Sequence, residues 1–327
     1  MFRSAAGVVV LALAVSACGG LALKDPDPTP VNPTAVLVTH SVNEATRDFP
    51  AFESYSVAYN RPNMQRSEIS LKGDGTFTRL AGGAETEVSI ERLDKKLAWT
   101  LDAKTKQYIE CPLKGCGGPV PRKSPAKKSR DDDKGLDSEC RLKIGNTAFT
   151  VEPTGQKRSI NGFDTEQFDI RWLVTFRDNA SRKSTSTISI DLWTTSVTPA
   201  LKDATAIERT YARARDKILD ADSDPDRMVA LPSEVGKMIG SFLSPNVSPT
   251  DRASFLVSAK KLDKVKGLPV IMNVKWTFAG EACSMDETMK DVGSKPLLVF
   301  TSEVKSHKLE ALHDSLFAPP KEYKRKK

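Results

Sequence analysis

The sequence predicts an α+β protein built on one extended antiparallel sheet into which a helical segment is inserted. Three observations predict it: apolar side chains that alternate from Phe52 onward, a change to helical spacing between Trp193 and Val270, and turn residues between the alternating runs. With 39% hydrophobic and 28% charged residues, 327 residues are enough to bury one large core.

The chain begins Met1-Phe2-Arg3 and continues in an apolar stretch from Ala5 to Val15. A bilayer span needs about 20 residues, so this length fits a signal peptide over residues 1–17. It ends in Val15-Ser16-Ala17-Cys18, which resembles the lipobox of bacterial lipoproteins: an aliphatic residue, two small ones, then the acylated cysteine. Small side chains admit the peptidase and the Cys18 thiol accepts the lipid, so membrane attachment through acyl chains is expected. Residue 19 is Gly rather than the Asp that retains enteric lipoproteins at the inner membrane. That resemblance implies the outer membrane, with the domain facing the periplasm. Pro26, Pro28, Pro30 and Pro33 favour extended backbone, so residues 18–50 are expected to be a tether.

Tyr55, Val57 and Tyr59 alternate with Ser54, Ser56 and Ala58, and Ile69 and Leu71 lead into Gly73-Asp74-Gly75 and a return through Phe77, which reads as a hairpin. Val88 with Ile90, then Leu97, Trp99 and Leu101, then Tyr108-Ile109 continue the sheet. The clearest faces follow: Phe168, Ile170, Trp172, Val174 and Phe176; Ile188, Ile190 and Leu192; and Val270, Met272, Val274, Trp276 and Phe278.

Between Cys111 and Cys140, glycines, prolines and an Arg130–Lys134 charge run cannot sustain a ladder, so residues 111–140 are expected to be a flexible insertion. Residues 198–267 change period. Thr198-Pro199 can start a helix with Leu201, Ala204, Tyr211, Ala214 and Ile218 inward. A second helix is expected from Pro232 to Phe242, and Ser248-Pro249-Thr250-Asp251 resembles a capping box for a third, ending before Gly267. The last residues, 307–327, read as a basic tail.

Four cysteines follow Cys18: Cys111, Cys116, Cys140 and Cys283. Export would place them in an oxidising compartment as two disulfides in one of three connectivities, of which we favour Cys111 with Cys116 and Cys140 with Cys283. Cys111-x4-Cys116 also spaces two metal ligands, but no histidine lies near, and a disulfide suits it better.

Ser89-Ile90-Glu91-Arg92-Leu93-Asp94-Lys95-Lys96-Leu97-Ala98-Trp99-Thr100-Leu101 and Lys106-Gln107-Tyr108-Ile109-Glu110-Cys111-Pro112-Leu113 resemble bacterial lipoproteins that share the open barrel of the lipoprotein carriers LolA and LolB. Asn161-Gly162-Phe163, Asp191-Leu192-Trp193-Thr194 and Gly267-Leu268-Pro269-Val270 fit the same family, and the domain would run over residues 51–306. The resemblance implies a half-barrel wrapped round helices, with a concavity for acyl chains. Trp99, Trp172, Phe176 and Trp276 would then line either that cavity or a packed core.

No catalytic centre is marked out. The three histidines are His40, His307 and His313, and the last two are six apart rather than at the i, i+4 spacing of helical zinc ligands. No nucleophile elbow, phosphate loop or dinucleotide fingerprint occurs. Asp220, Asp222, Asp224 and Asp226 begin like a calcium loop, but Pro225 stands at the turn glycine and Leu231 at the bidentate Glu. No cofactor or metal is therefore expected. The net charge of +7 is dispersed and lacks interleaved aromatics, so nucleic acid is not an expected partner. The expected function is a non-enzymatic envelope lipoprotein that binds a lipid or acyl chain. The alternative is an interaction module with a solid core.

Overall fold

The structure, a computed structural model, describes residues 27–46, 50–73, 86–115, 143–178, 181–219, 264–281 and 296–326. Its strands are β1 (Val31–Asn43), β2 (Phe52–Arg61), β3 (Met64–Gly73), β4 (Thr86–Arg92), β5 (Leu97–Asp102), β6 (Gln107–Pro112), β7 (Lys143–Ile160), β8 (Phe163–Arg177), β9 (Lys183–Thr195), β10 (Leu268–Gly280), β11 (Leu298–His313) and β12 (Lys324–Arg325). One helix among the described residues, α1 (Pro199–Leu219), and a 3-10 turn at Asp314–Phe317 accompany them.

All twelve strands form one sheet in the order β12-β6-β5-β4-β3-β2-β1-β11-β10-β9-β8-β7, antiparallel except for the short parallel pair β12 with β6. β12 and β7 are its edges, so the sheet is open, and with α1 the class is α+β. Hairpin connections account for most neighbours because alternation on successive runs lets each strand return beside the last.

α1 begins where Thr198 precedes Pro199, whose missing N–H costs nothing at a first helical position. The Thr198 carbonyl accepts from the amides of Leu201 and Lys202 at 3.0 Å each. Leu201, Ala204 and Tyr211 are buried as the helix crosses β11, β1 and β2. This bears out the stripe read from the sequence.

Cross-strand partners point to the same side of a sheet, so the register assigns every residue to the face that α1 covers or to the far face. Pairing runs Trp99, Ile90, Arg66, Tyr59 and Val36, all on the far face. Those residues bury against the C-terminal turn: Val88, Ile90, Trp99, Leu101 and Phe317 form one core, with Tyr59, Leu316 and Tyr323 beside it. In the other half, Trp172, Ile188, Trp276 and Leu298 pair on the helix face. There Phe168, Ile170, Leu192, Met272, Val274 and Phe300 complete a second core. The buried side of the sheet therefore changes between β1 and β11.

Two boundaries expected from the sequence are corrected. The tether does not reach residue 50: β1 starts at Val31 and lies between β2 and β11, in the interior of the strand order. Residues 307–327 are not a solvated tail either, since β11 runs to His313, Phe317 is fully buried and Lys324–Arg325 pair with β6. Both segments pair with strands far away in sequence, which local charge and proline content do not reveal. Cys18 and the signal peptide, Phe77, most of the 111–140 insertion, the second helix, the capping box at Ser248 and the Asp220–Asp226 run lie outside the described residues.

Candidate functional site

The sheet splits beside β11. β10 pairs with β11 only from Ile271 opposite Glu303 to Trp276 opposite Leu298, whereas β11 continues to His313 with β1 as its one partner among the described residues. At the same point a bulge between Pro269 and Ile271 turns the start of β10 toward β9. Gly267 makes this possible. Its φ is +96°, and a Cβ there would lie 2.4 Å from the Thr195 carbonyl oxygen.

The β7–β8 hairpin spans the gap. Asn161 and Gly162, both at positive φ, form its two-residue tip, the geometry a tight hairpin needs. The Asn161 side-chain amide donates to Glu303 Oε1 at 2.7 Å and to the Val304 carbonyl at 2.8 Å, which occupies a backbone acceptor that β10 has left. Burial alone would raise the Glu303 carboxyl, but hydrogen bonds from Lys305 and Asn161 hold it below its ordinary value.

Between hairpin, helix start and β11 lies a pocket of about 860 Å³. Its walls carry Lys157, Arg158 and Lys266, the acids Asp164 and Glu166, the hydroxyls of Thr165, Thr194, Thr195, Ser196 and Thr198, and the apolar Phe163, Ala200 and Leu201. His307 is the one lining residue from β11. Lys157 and Glu166 form an ion pair at 2.7 Å, and that hydrogen bond raises the lysine above its ordinary value. Thr165 and Thr194 donate their hydroxyls to the carbonyls of Arg158 and Lys266, at 2.7 and 2.8 Å. The Arg158 guanidinium lies 4.0 Å over the buried ring of Trp193. The His307 side chain is 7% exposed; its Nε2 is 3.2 Å from Glu208 Oε1 on α1, yet neither atom hydrogen-bonds a described residue.

None of the four aromatics expected at a cavity lines this pocket. Trp276 is 1% exposed and donates Nε1–H to Ser186 Oγ at 2.8 Å, Phe176 is buried near Phe278, and half-buried Trp172 meets Phe149 edge-on. Trp99 is on the opposite face of the sheet and donates to Glu110 Oε2 at 2.9 Å. The quartet thus does not converge, because a strand's apolar alternation leaves open which side of the sheet it faces. Cys111, on β6, is disulfide-bonded, and its partner lies outside the described residues.

Sequence reasoning passed over Arg158 and Lys266, and weighed His307 only as a zinc ligand. A signal was present in Asn161-Gly162, a hairpin-tip dipeptide preceded by Lys157-Arg158, but its landing place on β11 is a matter of tertiary register. Among the described residues no group of three or more histidine, cysteine or acidic side chains is arranged for a metal, and no helix is long and apolar enough to cross a membrane. Compared with protein-family models, curated proteins and solved structures, the chain matches none.

Proposed function

We propose that this chain is a lipid-anchored protein of the bacterial cell envelope that holds a lipid or acyl chain without chemically altering it. The observation that carries the reading is the pocket of about 860 Å³ at the sheet's split, within the roughly 300–1,000 Å³ usual for small-molecule sites. The lipobox ending in Cys18 supplies the anchor, and an open sheet with a helix on one face suits the LolA/LolB-like half-barrel to which the sequence is similar. The outer membrane, facing the periplasm, is the compartment that goes with it.

The ligand site moves from the aromatic faces to the seam, since Trp276 and Phe176 are packed core. Native mass spectrometry of the purified full chain should find a bound lipid, and radiolabelled palmitate should enter the protein but not its Cys18→Ser variant. An empty protein that takes up no fatty acid would overturn the ligand reading, and palmitate incorporation into Cys18→Ser would overturn the anchor. A second reading, a solid interaction module, draws on the close packing around Trp276. It gains if the chain is empty yet still lipidated.

A further inference from the structure

We infer that the sheet edge formed by β5, β6 and β12 is a docking surface for the anionic headgroups of the membrane that holds this chain. The inference rests on the anchor at Cys18 and adds to it the face that the domain turns to the lipid. Charge, mounting and reach carry it.

Along the sequence the net charge of +7 is dispersed, but the fold collects much of it on one edge. Residues 94–114 and 321–326, which supply β5, β6 and β12, hold nine basic residues against four acidic ones, a surplus of five. All nine are exposed. β7 and β8 at the opposite edge, residues 143–177, hold five against four. Both edges need protection from strand pairing, so that need does not account for a charge that only one of them carries. A negatively charged lipid surface does account for it, since each base near such a surface raises attachment about five-fold.

Strand pairing fixes these bases in place. Lys324 and Lys326 donate their backbone amides to the carbonyls of Lys106 and Tyr108 at 2.9 and 2.8 Å, so the arm that carries them is laid along β6. Tyr323 packs beside the core around Phe317 and holds the near end of the arm. The one acid on β6, Glu110, is already engaged, by Trp99 Nε1 at 2.9 Å and by Arg325 at 3.1 Å. Lys95 and Lys96 stand in the turn between β4 and β5, beside the end of β6, where the Leu113 amide donates to the Lys96 carbonyl at 2.9 Å. Ile109, 44% exposed, adds an apolar side chain among the bases, a mixture that suits the headgroup boundary. The anchor can bring this edge to the lipid. Cys18 to Asp27 is nine residues, at most about 32 Å fully extended, so an anchored domain stays that close to its membrane. Asp27 accepts from Ser315 in the turn Asp314–Phe317, and the same turn leads into the C-terminal arm. From β1 to β6 is five strand spacings, about 24 Å, which lies inside the radius that the anchor allows.

The test floats the full chain with vesicles of phosphatidylcholine alone, or of equal parts phosphatidylcholine and phosphatidylglycerol, and acetylates its lysines with a water-soluble ester while mass spectrometry reads each site. Acetylation of Lys95, Lys96, Lys324 and Lys326 should be at least about five-fold slower on the anionic vesicles than on the neutral ones, and the difference should vanish at about 0.5 M salt. Lys143 and Lys183, on the other half of the sheet, should react alike on both. Lys324→Gln with Lys326→Gln should lower the protection of Lys95 and Lys96 at least about two-fold, with circular dichroism confirming an intact sheet. A chain that floats with both vesicles and shows no difference at the edge lysines would overturn the docking surface while leaving the anchor in place. One that floats with the anionic vesicles alone, its edge protected, would keep the surface and overturn the anchor, and one that floats with neither would overturn both. Protection of Lys143 and Lys183 equal to that of the edge would also overturn the surface, by making the effect one of general charge.

Discussion

The two halves of the sheet bury opposite sides. From β1 to β6 the aromatic and branched residues face away from α1 and are covered by the turn at Asp314–Phe317, whereas from β8 to β11 they face the helix side. The surfaces left over differ in kind. On the first half's helix face, Glu91 accepts from Arg215 Nε at 2.7 Å and from the Tyr211 hydroxyl, whose ionisation burial and the Glu91 charge push up. On the second half's far face, Asn273 joins Thr301 to Asp191 in a polar row. A sheet that changes its dry side must do so at a seam, and the seam here is where β10 leaves β11 and the pocket forms. The opening is a consequence of how two cores meet.

The largest expected effect breaks the second core alone. Trp276→Ala removes a fully buried ring and its bond to Ser186, and should cost about 4–5 kcal/mol in urea unfolding. Phe317→Ala does the same to the first core, where the ring also lies 4.5 Å beneath the Arg61 guanidinium, and should cost roughly 3–4 kcal/mol. Native-state hydrogen exchange then sharpens the contrast: Phe317→Ala should deprotect β2 to β5 more than β8 to β10. Equal deprotection everywhere would mean that the two cores fold as one unit.

A smaller loss is expected at the seam. Gly267→Ala places a Cβ against the Thr195 carbonyl at positive φ and should destabilise by roughly 2 kcal/mol, with ligand affinity falling more than in either core variant that still folds. Affinity unchanged in Gly267→Ala would separate the pocket from the split.

The smallest effect concerns acid. Hydrogen bonds from Ser315 and Thr29 hold the Asp27 carboxyl down to about 2, below its ordinary value of 3.8. Because the folded value is the lower one, its contribution is present above about pH 4 and is lost as pH falls toward 2. The protection of the Thr29 and Ser315 amides, taken relative to their intrinsic exchange, should fall over that window in the native chain, and Asp27→Asn should remove that fall.

Much of the sheet was legible because alternation is local. Phe168 to Phe176 and Val270 to Phe278 state their own period, and Thr198-Pro199 states where a helix begins. β1 was hidden by Pro33 and its neighbours, and the buried Phe317 by the basic residues after it, since β1's second partner, β11, and the strands that bury Phe317 are far away in sequence. The site was less legible still. Arg158, Lys266 and His307 come to line one pocket where Asn161 lands on Val304, and that contact leaves no spacing to read.

β1 holds β2 on one side and β11 on the other, and Asp27 and Thr29 fasten its leading end to Ser315 and His313. Anything that pulls on the chain upstream of Asp27 along the strand therefore loads two ladders in shear at once, where bonds must break together rather than one by one as in a peeling edge strand. A domain tethered in this way is gripped by its middle, so drag on it is shared by both halves.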